Sequence, residues 1–490
     1  MDNIHWCITI GLSMQLMRAY CESASGQAPG LRNQPGAPYV YKATDRMSWE
    51  DSVLDKSTSS QGHRARRHRA LRGGAFPVAA VCAIGLLATA CQSGSGMAGG
   101  GTGPGSPAKK AVAANPVQIA ITPATGSSDV NPSQGITVTA TGGKLHNVTV
   151  SGATVAGTLN AAGTVWHSTW ALPVSQSLKV TATASDTSGH SAARTSAFRT
   201  LSPAQTFTTM IFEGYQQTYG VGIPIMLTFS RPIENRAAVE RSLTVTSSKP
   251  VVGAWYWDNS QTLVFRTRDY WPAHTSVSFV GHLNGVEGAP GVYGDHTLTQ
   301  SFKIGQSLIV TASTRTHHMK LYRDGKLLRS WPISTGRPGD NTPNGTYLTI
   351  SKGNPVLMKG PGYALEVPWS VRFTWTGDYL HDAYWSVGEQ GFTNVSHGCV
   401  NMAPADAEFY YKMAVPGDPV TISGSPRGGS WDNGWTEWFL SWPQFVKGSA
   451  LHEAVMAGPD GSTFVDPATL AASTATVPAG TARPGNSSAG

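Results

Sequence analysis

The sequence predicts a mainly β protein built in several pieces. Short runs of alternating apolar and polar residues, rich in Thr and Val, recur from residue 116 to residue 424 and end in Gly, Asp or Ser. The chain has 490 residues, too many for one core. It carries 55 Gly and 31 Pro but only 13% charged residues, a balance that suits β modules joined by flexible connectors. The expected architecture is two sandwich-like β modules, then a third β-rich domain with one or two helices, then a short Trp-rich C-terminal extension.

The first ninety residues read differently. Residues 1–60 form a long lead-in, with Met47 available as a later start. Within 61–90, RARRHRALRGG (64–74) precedes the apolar AFPVAAVCAIGLLATA (75–90), a basic n-region and h-region short for a spanning helix. LATAC (87–91) resembles the lipobox of bacterial lipoproteins, with Ala88 where leucine is usual. That resemblance implies lipidation at Cys91 and attachment to the outer face of the cell membrane, as a lipoprotein of the cell envelope. Ordinary secretion and a retained membrane anchor are the alternatives. The net charge of +7 follows the same division: 10 Lys/Arg and 6 Asp/Glu fall in 1–90, leaving 26 and 23 for the rest. No basic stripe interleaved with aromatics remains there, which argues against nucleic acid as a partner.

Residues 91–115 are a Gly/Ser/Pro linker with a reach of about 25–30 Å, suited to standing a folded body off a surface. In 116–201, ITVTATGG (136–143), VTVSG (148–152) and LKVTATASD (178–186) have period 2, and the strand density suggests an immunoglobulin-like sandwich. A second such module, 202–305, holds PIMLTFSRPI (224–233), VVGAWYWDNSQTLVFRT (251–267) and TSVSFVG (275–281). Its Trp255 and Trp257 read as packing residues rather than ligand platforms. The third domain, 306–424, opens with strands, and Asp324-Gly325 between apolar runs marks a hairpin. Pro404 and Asp406 open a helix whose Ala407, Tyr410, Tyr411 and Ala414 share a face. Trp431, Trp435, Trp438 and Trp442 repeat at helical spacing in 425–450, which predicts a short helix packed on a neighbouring module. Residues 451–490 are Ala/Ser/Thr/Pro/Gly-rich and read as a disordered tail.

Of the five cysteines, Cys7, Cys21 and Cys82 lie in or before the signal, and Cys91 would carry lipid. Cys399 is then a lone thiol without a disulfide partner, reactive or inert. It becomes a nucleophile when a base lies within hydrogen-bond reach. His381 and His397 are the candidates. Gly398 lets neighbouring amides converge on one point, as a tetrahedral oxyanion requires. A zinc site using His381, His397 and Cys399 is a second reading of the same residues, though it lacks a recognisable fourth ligand. His317-His318 read as surface residues.

DYLHDAYWSVGEQGFTNVSHGCVNM (378–402) resembles the active-site segment of the L,D-transpeptidases, the YkuD-type family. Their pattern is a histidine, a spacer, then Ser/Thr-His-Gly-Cys, an apolar residue and Asn; here 14 residues separate His381 from Ser396. STGRPGDNTPNGTY (334–347) is similar to the family's substrate-side segment and PGY (361–363) to its flap. The resemblance is close over 306–424 and extends loosely from 87 to 450, toward actinobacterial, mycobacterial-type lipoprotein members with immunoglobulin-like domains. It implies that Cys399 is the nucleophile and His381 the general base, oriented by the carbonyl of Asp382. The amides of His397, Gly398 and Cys399, with the Tyr363 hydroxyl, would hold the oxyanion. Ser396 and Tyr363 would bind substrate, and Trp385 and Asn401 would line the substrate-binding surface or brace the site. Asp382 stands where close family members carry serine; a role for its side chain would raise the pKa of His381. No metal or organic cofactor is implied. The implied partners are peptidoglycan stem peptides, with carbapenem β-lactams as inhibitors, and the implied reaction is 3→3 cross-linking by acyl transfer. An L,D-carboxypeptidase, an enzyme anchoring proteins to the wall, and a non-catalytic wall spacer are the rival readings.

Overall fold

The computed structural model describes residues 117–360 and 363–468. The lead-in, the signal segment, Cys91 with its linker, Pro361 and Gly362 of the flap, and the tail from residue 469 lie outside the described residues.

The first module is a sandwich of one four-stranded and one three-stranded sheet. Strand Ser177–Ser185 shows why it forms. Leu178, Val180, Ala182 and Ala184 are buried while the residues between them are not, so one face of the strand closes the core. Ile119, Ile121, Val138 and Trp166 fill that core from the facing sheet.

The second module is larger than the 202–305 interval. Its six-stranded sheet ends with Ala454–Gly458 and Gly461–Val465, joined to Val251–Trp257 through the pairs Val251↔Ala457 and Gly253↔Val455. The reading of 451–490 as a disordered tail is therefore corrected for 454–465. Ala454, Val455 and Ala457 are buried, and pairing with an open sheet edge satisfies backbone groups that a small-residue segment cannot satisfy alone. Trp255 and Trp257 lie in this module's core.

The tryptophan stretch packs on this module, but not as one helix. A 3₁₀ turn, Glu437–Phe439, ends at an extended Leu440, and a five-residue helix, Trp442–Val446, begins afresh behind the Ser441 cap with Pro443 in its first turn. Trp435 and Trp438 enter the second module's core, and Trp438 Nε1 donates to Gly222 O at 2.9 Å. The anchor is Arg266, which is 2% exposed. Its guanidinium lies 4.5 Å from the Trp438 ring centroid and 4.4 Å from that of Phe445, and donates to the carbonyls of Glu437 and Leu440 at 2.7 and 3.1 Å.

The third domain has a five-stranded sheet, Lys326–Pro332, His318–Arg323, Leu308–Ser313, Pro419–Ser423 and Gly345–Leu348 in spatial order. Asp324 and Gly325 both have positive φ (49° and 78°), as the tight hairpin between His318–Arg323 and Lys326–Pro332 needs. A second, four-stranded sheet runs Ser351–Gly353, Ser370–Arg372, Tyr379–Asp382, Val400–Met402, and a separate hairpin pairs Val356–Gly360 with Tyr363–Val367. Helix Pro404–Met413 buries Ala407 and Tyr410 against the same core as Leu380, Val400 and Met402.

Replacing Arg266 by Ala empties an aromatic cage and leaves two buried carbonyls without their cation. The expected loss is about 3 kcal/mol, the scale for breaking a buried charged network. Thermal and urea unfolding of Arg266→Ala against wild type measures it, and a change within about 0.5 kcal/mol, the surface-substitution range, would contradict the anchor role.

Candidate active site

Two short strands carry the site. Tyr379–Asp382 and Val400–Met402 pair in parallel, with Leu380↔Val400, His381↔Asn401 and Asp382↔Met402 as partners. Side chains alternate faces along each strand. Leu380, Val400 and Met402 are buried in the core on one face. His381 and Asn401 fall on the other, and Cys399 enters the second strand from the bend just before it.

His381 is buried, and its Nδ1–H donates to the carbonyl of Asp382 at 2.7 Å. That bond fixes the tautomer and leaves Nε2 as the unprotonated nitrogen. Burial pushes the imidazole pKa down to about 4, and the Asp382 carbonyl works in the opposite direction without overcoming it. His381 is thus a neutral base at neutral pH. The Trp385 ring stacks on it, with centroids 5.9 Å apart, and Tyr384 meets Trp385 edge-on at 5.0 Å. The concern raised by Asp382 standing in place of serine is answered by this geometry. The contact to His381 comes from the Asp382 backbone, and the imidazole is not raised. The Asp382 carboxyl is itself buried, with Oδ1 lacking a hydrogen-bond partner, and burial pushes it up.

Cys399 is partly exposed, and its Sγ–H donates to Gly377 O at 3.7 Å. Burial, and then the Asp378 carboxylate, push the thiol up to about 12, while the Tyr379 N–H favours the thiolate. Both reacting groups are therefore neutral at rest, a thiol and an imidazole rather than an ion pair.

The bend ahead of Cys399 is held by a chain of polar contacts. Gly398 has φ of +133°, and a methyl group at its Cα would lie 2.4 Å from Asp378 Oδ1, so two constraints require glycine there. Thr342 Oγ1 donates to Gly398 O at 2.6 Å and accepts from the Gly336 N–H at 2.9 Å. Ser396 Oγ donates to Cys399 O at 2.6 Å and accepts from the Gly398 N–H at 3.1 Å.

These contacts correct two expectations. The Gly398 amide is engaged by Ser396, so it is not aimed at an oxyanion. Ser396 is buried and committed to the bend rather than presented to a substrate. Asn401 is likewise buried: its Nδ2 donates to Ser386 Oγ at 2.9 Å, and its backbone exchanges hydrogen bonds with Ser334 at 2.7 and 3.1 Å. Ser396 and Asn401 brace the site from within.

Tyr363 and Trp385 do face outward, each about two-fifths exposed at 40% and 44%. Tyr363 comes from the flap hairpin and lies 5.2 Å from the exposed His397 ring. Its hydroxyl is pushed up by burial first, and further by its ionisable neighbours Cys399 and Asp340. His397 thus turns toward the flap, and among the described residues no three His, Cys, Asp or Glu side chains converge as metal ligands. His317, partly buried, has its ring Nδ1 against Asn394 Oδ1 at 2.9 Å, while His318 is exposed. Sequence reasoning missed Thr342, Thr374, Gly377 and Asp378. All four are ordinary loop residues whose importance comes only from the fold bringing them to Gly398 and Cys399.

Residues 127–287 match the bacterial Ig domain family Big_10, and residues 307–422 match the L,D-transpeptidase catalytic domain family YkuD. This is the domain class of an L,D-transpeptidase carried on immunoglobulin-like modules. L,D-transpeptidase 2 of Mycobacterium tuberculosis (strain CDC 1551 / Oshkosh) is 31% identical over 388 residues, which cover 74% of this chain and 94% of that protein. L,D-transpeptidase 5 of Mycobacterium tuberculosis (strain ATCC 25618 / H37Rv) is 32% identical over 68% of this chain and 77% of its own length. A solved structure of the LD transpeptidase LdtMt1 in complex with imipenem is 34% identical, with a TM-score of 0.38, over 44% of this chain and 97% of that one. The chain belongs to the L,D-transpeptidase family and is a transpeptidase enzyme.

The depressed His381 pKa makes stability depend on pH. The folded value of about 4 lies below the unfolded value near 6.5, so the unfolded chain binds the extra proton in that window. Stability is fully present above pH ~6.5 and is lost as pH falls toward ~4, by about 3 kcal/mol from this group. Unfolding free energies of wild type and His381→Gln across that range test it. The variant is expected to lose that part of the slope.

Proposed function

We propose that the enzyme forms 3→3 peptidoglycan cross-links by acyl transfer through Cys399. The observation that carries the reading is the neutral, carbonyl-oriented His381 held across a parallel strand pair from the chain entering at Cys399. A thiol with a pKa near 12 is not a thiolate at rest, so its proton must leave as the bond forms. His381 Nε2 takes that proton while Sγ attacks the carbonyl of the third, diamino acid residue of a tetrapeptide stem. The tetrahedral oxyanion is received by the His397 and Cys399 amides and the Tyr363 hydroxyl. Collapse breaks the peptide bond, and the His381 proton passes to the departing D-alanine amine. The side-chain amine of a second stem then attacks the thioester. His381 receives the amine proton, the new amide forms, and the proton returns to Cys399. Trp385 packs on His381 and offers an exposed aromatic face at the rim for the stems.

Water in place of the second amine gives an L,D-carboxypeptidase, and a protein amine gives an anchoring enzyme. Incubating the soluble chain with a disaccharide-tetrapeptide and identifying products by mass separates these. Cross-linked dimer supports the proposal, and tripeptide alone or no turnover overturns it. Cys399→Ala is expected to abolish both D-alanine release and dimer formation. A carbapenem places a strained carbonyl where the scissile one sits, so it is expected to acylate Cys399 once per chain. His381→Ala should slow that acylation by about 10²–10⁴. Peptide mapping of the adduct and equal rates in the two proteins are the outcomes that decide the roles of Cys399 and His381.

We further propose that lipidation at Cys91 tethers the enzyme to the outer face of the membrane, with the linker and two modules carrying the site outward. The basic run, apolar run and LATAC support it. Cys91→Ala is expected to move the protein from the membrane fraction to the soluble fraction; wild type that fractionates as soluble contradicts the anchor.

A further inference from the structure

Asp378 takes no part in the steps above, yet residues 377–379 wrap the nucleophile. The Gly377 carbonyl accepts from Sγ–H, and the Tyr379 N–H faces the same sulfur. Between them, Asp378 is 7% exposed and held at two points by one side chain: Thr374 Oγ1 donates to Asp378 Oδ2 at 2.8 Å and accepts from the Asp378 N–H at 2.7 Å. The other carboxylate oxygen is turned to Gly398, 2.4 Å from where a methyl group would stand on its Cα. A buried anion fixed this way acts on its surroundings with little solvent screening.

The other charged and titratable groups are placed around this pair. Burial pushes the Asp378 carboxyl up; the Thr374 hydrogen bond, then Arg427 and Arg372, favour its ionised form in opposition, and the Tyr347 hydroxyl faces the same carboxylate. Tyr363 lies on the sulfur's side, Asp340 reaches Tyr363 from the 334–347 segment, and His381 sits on the neighbouring strand opposite Asn401.

We propose that Asp378 is a positioning residue for the transpeptidation step, its tethered carboxylate shaping the Gly398 bend and opposing negative charge on Cys399 Sγ until an acyl carbon is there to receive the sulfur. The inference rests on the reading of Cys399 as nucleophile. Its chemical consequence is that, added to the larger effect of burial, the carboxylate holds down the free thiolate, the form that alkylating agents and oxidants attack, between turnovers. Reactivity is reserved for the moment when substrate and His381 act together.

The test is alkylation of Cys399 by iodoacetamide in the full chain, followed across the thiol titration range by intact mass and peptide mapping. Below the midpoint, each pH unit of midpoint shift is tenfold in thiolate fraction. Asp378→Asn is expected to move the midpoint down and to raise the rate near neutral pH about three- to tenfold. Asp378→Glu keeps the charge and is expected to stay near the wild-type midpoint while turnover falls, because the bend is disturbed. A purely structural role would lower turnover in both variants without moving either midpoint. A folded Asp378→Asn protein with the wild-type midpoint overturns the proposal. If that variant does not fold, Asp378→Ser, and Thr374→Val, which releases the tether, must shift the midpoint in the same direction. Alkylation does not require turnover. Failure of the cross-linking reading leaves this measurement intact, and failure here leaves Cys399 as the nucleophile.

Discussion

The pairing of Tyr379–Asp382 with Val400–Met402 is the constraint on which the rest of the site depends. Parallel register places His381 opposite Asn401 and brings the chain in at Cys399 two residues earlier. Three apolar side chains, Leu380, Val400 and Met402, drive one face of the pair into the core, so the polar set has no freedom to rotate inward. The helix that follows at once, Pro404–Met413, packs against the same core. Short strands alone would be marginal; these are held by what lies behind them.

Around that pair the polar contacts divide by purpose. One set fixes backbone: Thr342 on Gly398, Ser396 on Cys399, Ser334 and Ser386 on Asn401. Each is a short hydroxyl or amide in a buried place with its partner present, which is how a bend is made rigid without adding charge. The other set adjusts protonation. Desolvation acts in opposite senses on the two reacting groups, lowering His381 and raising Cys399, and so keeps both neutral. The protein thereby stores no ion pair at rest, and the separation of charge is deferred to the reaction itself.

The strands were legible in the sequence because one-sided burial leaves an alternating pattern. Leu178 to Ala184 shows it in the first module, and the Asp324-Gly325 turn declares its own geometry. The Ser-His-Gly-Cys run announced the site. Other features were not legible, for physical reasons. Residues 454–465 are small and weakly patterned, and become strands only because the Val251–Trp257 edge supplies their hydrogen bonds. The four tryptophans repeat at helical spacing, yet their partners, Arg266 and the Gly222 carbonyl, come from far along the chain and break the run into two pieces. Ser396 looks like a substrate ligand in a motif. Only three-dimensional contacts show it spent on the bend. Asp378 carries no local signal at all, since its role depends on a glycine twenty residues away in sequence.

The hairpin at Ala454–Val465 changes what the second module is. Its sheet begins before the transpeptidase domain in sequence and is completed after it, so the enzyme domain is an insertion whose two ends return to one body. During synthesis the Val251–Trp257 strand must wait, with one edge open, until nearly the whole chain has emerged. A chain folding from its N-terminus as it is made would expose that edge throughout.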